Sequence, residues 1–470
     1  MQNACEERVW AEQEFGQAEL GDPRRVARLV QMSAQAACHP AGLVTAVFEV
    51  QAEREAAYRV LENEAISAEA VGAAAHRACA NRAQEYGYVF VPTDGTSLHL
   101  TDAAEQKGFG SIGSRERGAR GLKVITAQAV SPAGVPLGLL AQQYWARGNR
   151  SPKREGQNDG RHTKDKETQR WLDVMQQAWE QMAEKAPETL PWFQLDREGD
   201  AWPVYLFASD LGTLFTIRAA QDRRVFSPMT GEQSHLWDAV ARGTIQGGYQ
   251  MHVPPQKGRA ERDAVMIVRA APVVLDLLDK RTRRRNRMPL YAVLTHEVGT
   301  TPTGETPIEW MLLTNYPVET LNDALLVIRG YAQRWRIEQF HKLWKSEGCH
   351  VEDTQLRGVE PVCKWALVLA SVAVRIERMI YLSRNEPDLS ATVEFTQAEI
   401  DAVILVRRPK GVHPGESPSV GQVIRWIADL GGYTGKSSGG PPGSKVLARG
   451  MLRFQPVAEV LARGGLVANG

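Results

Sequence analysis

Tyr331, Arg334, Glu338 and Lys345 fall at offsets of three, seven and fourteen residues from the tyrosine, in a segment that reads as helix. At about 100° per residue those offsets lie within an arc of roughly 60°, so one stripe is expected to present a phenol, a guanidinium, a carboxylate and an ammonium together. The apolar Leu325, Leu326, Ile337, Phe340, Leu343 and Trp344 are expected on the other side. A helix that buries one side and shows a lone carboxylate between cations on the other is suited to holding a metal ion beside phosphate. One carboxylate is not enough for that task. Other elements must bring more.

Two segments upstream can supply them. The run YGYVFVPTDGTSLHL reads as a strand that delivers Asp94 where it meets Gly95, Thr96 and Ser97. LKVITAQAV and VPLGLLAQQYW, joined by Ser131 to Gly134, read as a hairpin. The polar stretch from Arg147 to Arg170 reads as a surface loop, and WLDVMQQAWEQMAEKA has helical periodicity. PWFQLDREGD then gives a short strand ending at Asp196, followed by a helix from about Ala201 to Leu211 and the strand TLFTIRAA. The order is strand, hairpin, helix, strand, helix, strand. Two carboxylates at strand ends with a third on a later helix is the arrangement a two-metal phosphoryl-transfer site requires. For Asp94 or Asp196 alone a turn cap is the simpler reading.

Composition sets broad bounds. The 470 residues are 43% hydrophobic and 24% charged, which implies two to four domains and a large core. The net charge of +1 means any basic, nucleic-acid-facing surface must be local and balanced elsewhere. Cys5, Cys38, Cys79, Cys349 and Cys363 show no paired short spacing, so neither a zinc site nor a disulfide framework is expected, and reduced thiols in a cytosol are. MQNACEERVW lacks the apolar core of a secretory signal, and the run Trp365 to Val374 is too short for a bilayer, so no membrane partner is expected.

Local basic clusters exist. LGDPRRVARLV reads as a helix start, with Asp22 as N-cap, Pro23 at the first helical position and Arg24, Arg25 and Arg28 exposed. Those arginines suit phosphate or base contacts, or are a solvated surface face. LDKRTRRRNRM holds Lys280, Arg281, Arg283, Arg284, Arg285 and Arg287, a turn either solvated or laid against a DNA backbone. GYTGKSS lacks the earlier glycine of a phosphate-cradling loop, because Leu430 stands there, so no nucleotide site is read from it.

YAQRWRIEQFHKLWK fits at every position the pattern Tyr, two residues, Arg, three residues, Glu, six residues, Lys. In this, and in LGDPRR, TDGTSL, DREGD and GETPIEWMLLTNYPVE in the same order, the chain resembles the bacterial cut-and-paste DDE transposases of insertion-sequence family four. The resemblance covers nearly the whole chain and is weakest after about residue 385. It implies an α/β fold: a ribonuclease H-like catalytic core over 71–225 and 312–360, interrupted by a β-rich insertion domain over 226–311. A helical DNA-binding domain over 1–70 and a helical dimerisation region over 361–470 complete it. It implies Asp94, Asp196 and Glu338 as catalytic ligands of two Mg²⁺ ions, with Mn²⁺ able to substitute.

The same resemblance implies that Tyr331, Arg334 and Lys345 contact phosphates near the cleaved end, and that Trp310 holds a flipped base. For Trp310 the residue-level alternative is a core aromatic in IEWMLLT. Arg197 matches a DNA-contact position, or forms a salt bridge to Glu198 or Asp200. The 142 residues between Asp196 and Glu338 (338 minus 196) are too many for one short connection and leave room for the insertion. The expected partners are double-stranded DNA, as terminal inverted repeats and target, and a second copy in a synaptic dimer. The expected location is the cytoplasm, with the nucleoid. Two rivals remain on this sequence: a metal-dependent nuclease or resolvase on the same core, and a catalytically silent DNA-binding inhibitor.

Overall fold

The computed structural model describes residues 6–113, 118–148, 166–255, 259–279, 282–435 and 442–462. Lys280, Arg281, residues 149–165 of the polar loop and residues 436–438 of GYTGKSS lie outside them. The chain opens with five helices: α1 (Glu6–Phe15), α2 (Pro23–Cys38), α3 (Val44–Val47), α4 (Gln51–Glu62) and α5 (Ala68–Ala83). The expected start of α2 is present: Asp22, extended, accepts a hydrogen bond from the Arg24 N–H at 2.8 Å, and Pro23 takes the first helical position.

Four strands follow, β1 (Tyr88–His99), β2 (Gly110–Ser111), β3 (Arg120–Val130) and β4 (Pro136–Trp145). After them come α6 (Thr168–Lys185), β5 (Leu190–Leu195), α7 (Trp202–Asp210) and β6 (Leu214–Arg218). β3 runs antiparallel to β1, with β4 outside it, while β5 runs parallel to β1 and β6 parallel to β5. Parallel neighbours need a covering crossover, and α6 and α7 supply it. The order read from the sequence is therefore the order of the elements, apart from the two-residue β2, which pairs with β3 and is not among the expected strands. One boundary differs: β1 does not end at Asp94 but continues to His99, because Gly95 to His99 keep pairing with Ile125 to Gly121 of β3. What ends at Asp94 is the parallel ladder, whose last pair is Thr93 with Leu195.

β7 (Arg224–Phe226), β8 (Gln233–His235), α8 (Leu236–Ala241), β9 (Ile245–Val253), β10 (Arg262–Leu278), β11 (Arg285–Val298) and β12 (Glu309–Thr314) fill the gap before the acidic helix. They do not form a separate sheet. β12 pairs antiparallel with β6, β11 with β12 and β10 with β11, so the inserted strands continue the same sheet edge to edge.

The rest is helical: α9 (Leu321–Ala332), α10 (Trp335–Lys342), α11 (Val359–Asn385), α12 (Gln397–Arg407), α13 (Val420–Leu430) and α14 (Ser444–Ala462). α11 is buried on nearly all sides and packs against α2, α4, α5 and β4 as well as α13. Its Lys364 ammonium donates to the Leu61 and Asn63 carbonyls at the end of α4, both at 2.9 Å, and its Trp365 indole donates to the Gly42 carbonyl at 2.8 Å. One apolar cluster thus runs from Ala11 to Ala458 on one face of the sheet, and α6, α7 and α8 bury a second cluster on the other. No helix among the described residues is long and apolar enough to cross a membrane.

Candidate active site

Phe90, Asp94 and Leu98 alternate onto one face of β1. Phe90 belongs to a cluster with Trp192, Leu312 and Tyr331 under α9, and Leu98 to the large cluster under α10 and α11. Asp94 lies at the seam between the two apolar bodies, where α9 gives way to α10. That seam is where a polar group on this face of the sheet meets the least hydrocarbon.

The acidic helix is not continuous. α9 stops at Ala332, Gln333 and Arg334 form a turn, α10 begins at Trp335, and Leu343–Glu347 widen into a π-helical turn. The 100° arithmetic assumed one straight helix. The break re-aims the four residues rather than lining them up. Tyr331 is 4% exposed, set edge-on to Trp310 with ring centroids 5.2 Å apart and its hydroxyl bonded to Arg218, so no phenol stands on an open stripe. Arg334, in a tightened turn whose backbone stays right-handed, donates to the Asp94 carboxylate at 3.1 Å and to Glu338 at 2.5 Å. Lys345 turns to the β1 backbone, 2.7 Å from the Ser97 carbonyl and 3.3 Å from Glu352.

Asp196 leaves β5 next to Asp94 and caps the 3-10 turn Arg197–Gly199 by accepting from the Glu198 N–H at 2.7 Å. The turn-cap reading is thereby met. The Asp196 carboxylate also acts on Asp94. Burial and the Asp196 charge push the Asp94 carboxyl from 3.8 up to about 7, against the opposing pull of Arg334 and the Gly95 N–H. Glu198 is raised as well, by burial and by Asp196. Burial works against the charged Arg334 guanidinium, but Tyr331, Asp94 and Glu338 more than offset it and hold its pKa above the ordinary value. Burial lowers His341 on α10 to about 3, so that imidazole is neutral and no cation of the site.

Asp94 and Glu338 thus share the Arg334 guanidinium, and Asp196 stands beside Asp94 on the neighbouring strand end. With Arg334 in that position, no group of three or more His, Cys, Asp or Glu among the described residues has metal-holding geometry.

The other expected residues are spread more widely. Trp310, on β12, is half-buried, so neither fully core nor free. Arg197 is exposed and makes neither expected salt bridge: Asp200 is buried on Arg223 at 2.8 Å and accepts from Tyr205. Arg24 and Arg28 are exposed, but Arg25 is half-buried and donates to the Leu20 carbonyl at 2.9 Å. At the β10–β11 turn Arg283 and Arg284 are exposed, Arg285 pairs with Asp276, and Arg287 stacks 4.1 Å over Phe226. Sequence reasoning missed Trp335, 42% exposed directly after Arg334, and Glu198 beside Asp196. Adjacency to the named residues was the only signal for either.

Comparison with known families adds the two ends of the chain. Residues 7–66 match the family described as transposase DNA-binding. Residues 371–465, from the middle of α11 into the tail, match the Tn5 transposase dimerisation domain. The two matches indicate a DNA transposase of the Tn5 type, with one part for DNA and one for pairing with a second copy.

Proposed function

We propose, on the premise of transposase domains at both ends, that the chain catalyses cut-and-paste transposition through a DDE site made of Asp94, Asp196 and Glu338. The observation that carries this is that Arg334 bridges Asp94 and Glu338 while Asp196, leaving the neighbouring strand, lies close enough to Asp94 to raise its pKa, three carboxylates brought together from positions far apart in sequence. The strand order β4-β3-β1-β5-β6, with β3 antiparallel and β5 parallel to β1, supports a ribonuclease H-like core. Placement in insertion-sequence family four rests on the Tyr-Arg-Glu-Lys spacing.

The donor set suits hard divalent cations, since it is all carboxylate oxygen, and the upward push on Asp94 comes first from burial and then from the Asp196 charge, both of which a bound cation would offset. Asp94, Asp196 and Glu338 would hold two Mg²⁺ ions, which supply activation of the attacking oxygen and charge stabilisation of the leaving one. Until then Arg334 supplies the positive charge between Asp94 and Glu338. Released from them, it is placed to meet a phosphate, with Lys345 on the neighbouring side of β1. Trp310, backed by the Tyr331 ring, offers one half-buried face on which an unstacked base can rest. Tyr331 is not proposed as a nucleophile, because these phosphoryl transfers require no covalent protein intermediate.

The reaction is then nicking at the transposon end, attack of the freed 3′ hydroxyl on the opposite strand, hydrolysis of the resulting hairpin and joining to target DNA. The dimer acts in trans, so catalysis waits for both ends. The test is a Mg²⁺-dependent cleavage assay on the flanking inverted repeats. The parent should give hairpin products, and Asp94→Ala and Glu338→Ala none. Cleavage with no joined product from pre-cut ends would point to a nuclease instead.

A further inference from the structure

Among the described residues Trp335 is the only aromatic side chain that stands exposed, at 42%, although burying an indole is among the larger apolar gains open to a chain. It sits in the first turn of α10. Ile337, Phe340 and His341 seat that helix on the core. At about 100° per residue Trp335 falls on the outward side, about 60° round the helix from Glu338 and about 20° from Lys342. The ring therefore flanks the acidic position on its solvent side. A second observation ties it to the site: the Arg334 guanidinium, which donates to both Asp94 and Glu338, lies 5.8 Å from the centroid of the Trp335 ring. Arg334 also neighbours Tyr331, which is set edge-on to Trp310. The guanidinium thus has an aromatic neighbour in each direction along the chain.

We propose that Trp335 is a second stacking platform, receiving an unpaired base of the DNA end laid over Glu338, separate from the base that Trp310 takes. Stacking needs a flat apolar face that is open before the DNA arrives, and a half-open ring beside a guanidinium provides one. Lys342 shares that flank. Its side chain is 65% exposed and its ammonium lies 2.8 Å from Glu347, an ion pair weak enough in water to give way to a backbone phosphate next to the stacked base. Every base has a π-face, so the contact selects an unpaired base over a paired one and not one sequence over another.

This inference rests on the transposase reading, and the experiment separates the two. Binding is measured in EDTA, where no strand is cut, for an inverted-repeat duplex with mismatched terminal pairs and for the fully paired one, with the parent, Trp335→Ala and Trp335→Phe. Loss of one stacked base should weaken Trp335→Ala on the opened end by roughly 5- to 150-fold, and by less on the paired end. Trp335→Phe, which keeps a ring, should hold most of the affinity. The salt dependence should be the same for all three, because no charge has changed. On the parent, 5-iodouracil placed at one position after another through the opened end and irradiated should cross-link to the peptide carrying Trp335. Parental affinity of Trp335→Ala for the opened end, a loss equal on the two duplexes, or cross-links that never reach that peptide overturn the proposal and leave the transposase reading standing. So does a change in self-association of DNA-free Trp335→Ala, which would assign the ring to a second copy of the chain. A parent that binds neither duplex overturns both.

Discussion

Replacing Asp94 with Asn should make the metal-free protein more stable. In the folded chain the Asp94 carboxyl sits at about 7 instead of 3.8, chiefly because it is buried and because Asp196 repels it. The Arg334 contact is already counted in that value. A carboxyl raised on folding contributes stability that is fully present below about pH 3.8 and is lost as the pH climbs to about 7. At about 1.4 kcal/mol for each unit, the charged group costs up to about 4 kcal/mol at pH 8 and about 2 kcal/mol at pH 5. Asparagine does not titrate and escapes that cost while keeping an acceptor for Arg334. Urea unfolding in EDTA, run on parent and variant at both pH values, reads the difference. The variant should be the more stable at pH 8, by a margin that shrinks at pH 5. Adding Mg²⁺ at pH 8 should then stabilise the parent more than the variant, since only a folded site with its carboxylates gains from the ion. A variant no more stable than the parent at pH 8, or a margin that does not change with pH, would refute the account of a charge-strained site.

Two further outcomes follow from packing. Lys364→Met keeps the length of the side chain but leaves the Leu61 and Asn63 carbonyls without their donor, and should cost about 1–3 kcal/mol. Hydrogen exchange should show the loss concentrated in α4. At Gly330 an added Cβ would stand 2.5 Å from the Phe90 ring, so Gly330→Ala should force α9 off β1 and cost about 1–3 kcal/mol despite alanine's better helix propensity. Thermal melting checks it, with Phe90→Leu expected to restore part of the loss.

Much of the core was legible because its signals are local. The turn residues of DREGD, the hairpin at Ser131 to Gly134 and the Asp22–Pro23 helix start each depend on a few adjacent residues, and the elements stand where those residues put them, whereas TDGTSL continues β1 instead of ending it. Asp196 followed from such a turn, while Asp94 lies within β1, where the parallel ladder to β5 ends. The break at Gln333 and Arg334 was not legible, since neither glycine nor proline marks it. The helix tightens into a turn at Arg334, where it meets Asp94, 240 residues away in sequence, and only tertiary structure holds that contact. The same limit hid the joining of the inserted strands to the core sheet. Strand-like runs announce strands, not which edge they add to, and β11 could be placed only once β12 was known to pair with β6.

α11 gives the chain a property beyond packing. The segment matched as DNA-binding ends at residue 66, yet its apolar underside rests on a helix about 300 residues downstream, whose lysine closes α4 and whose tryptophan holds Gly42. Sequence similarity therefore outlines a recognition unit that is not a portable one. Moving it to another protein to change which DNA is addressed would carry away the reading head without its seat, and a graft that keeps its shape must bring the facing half of α11 along.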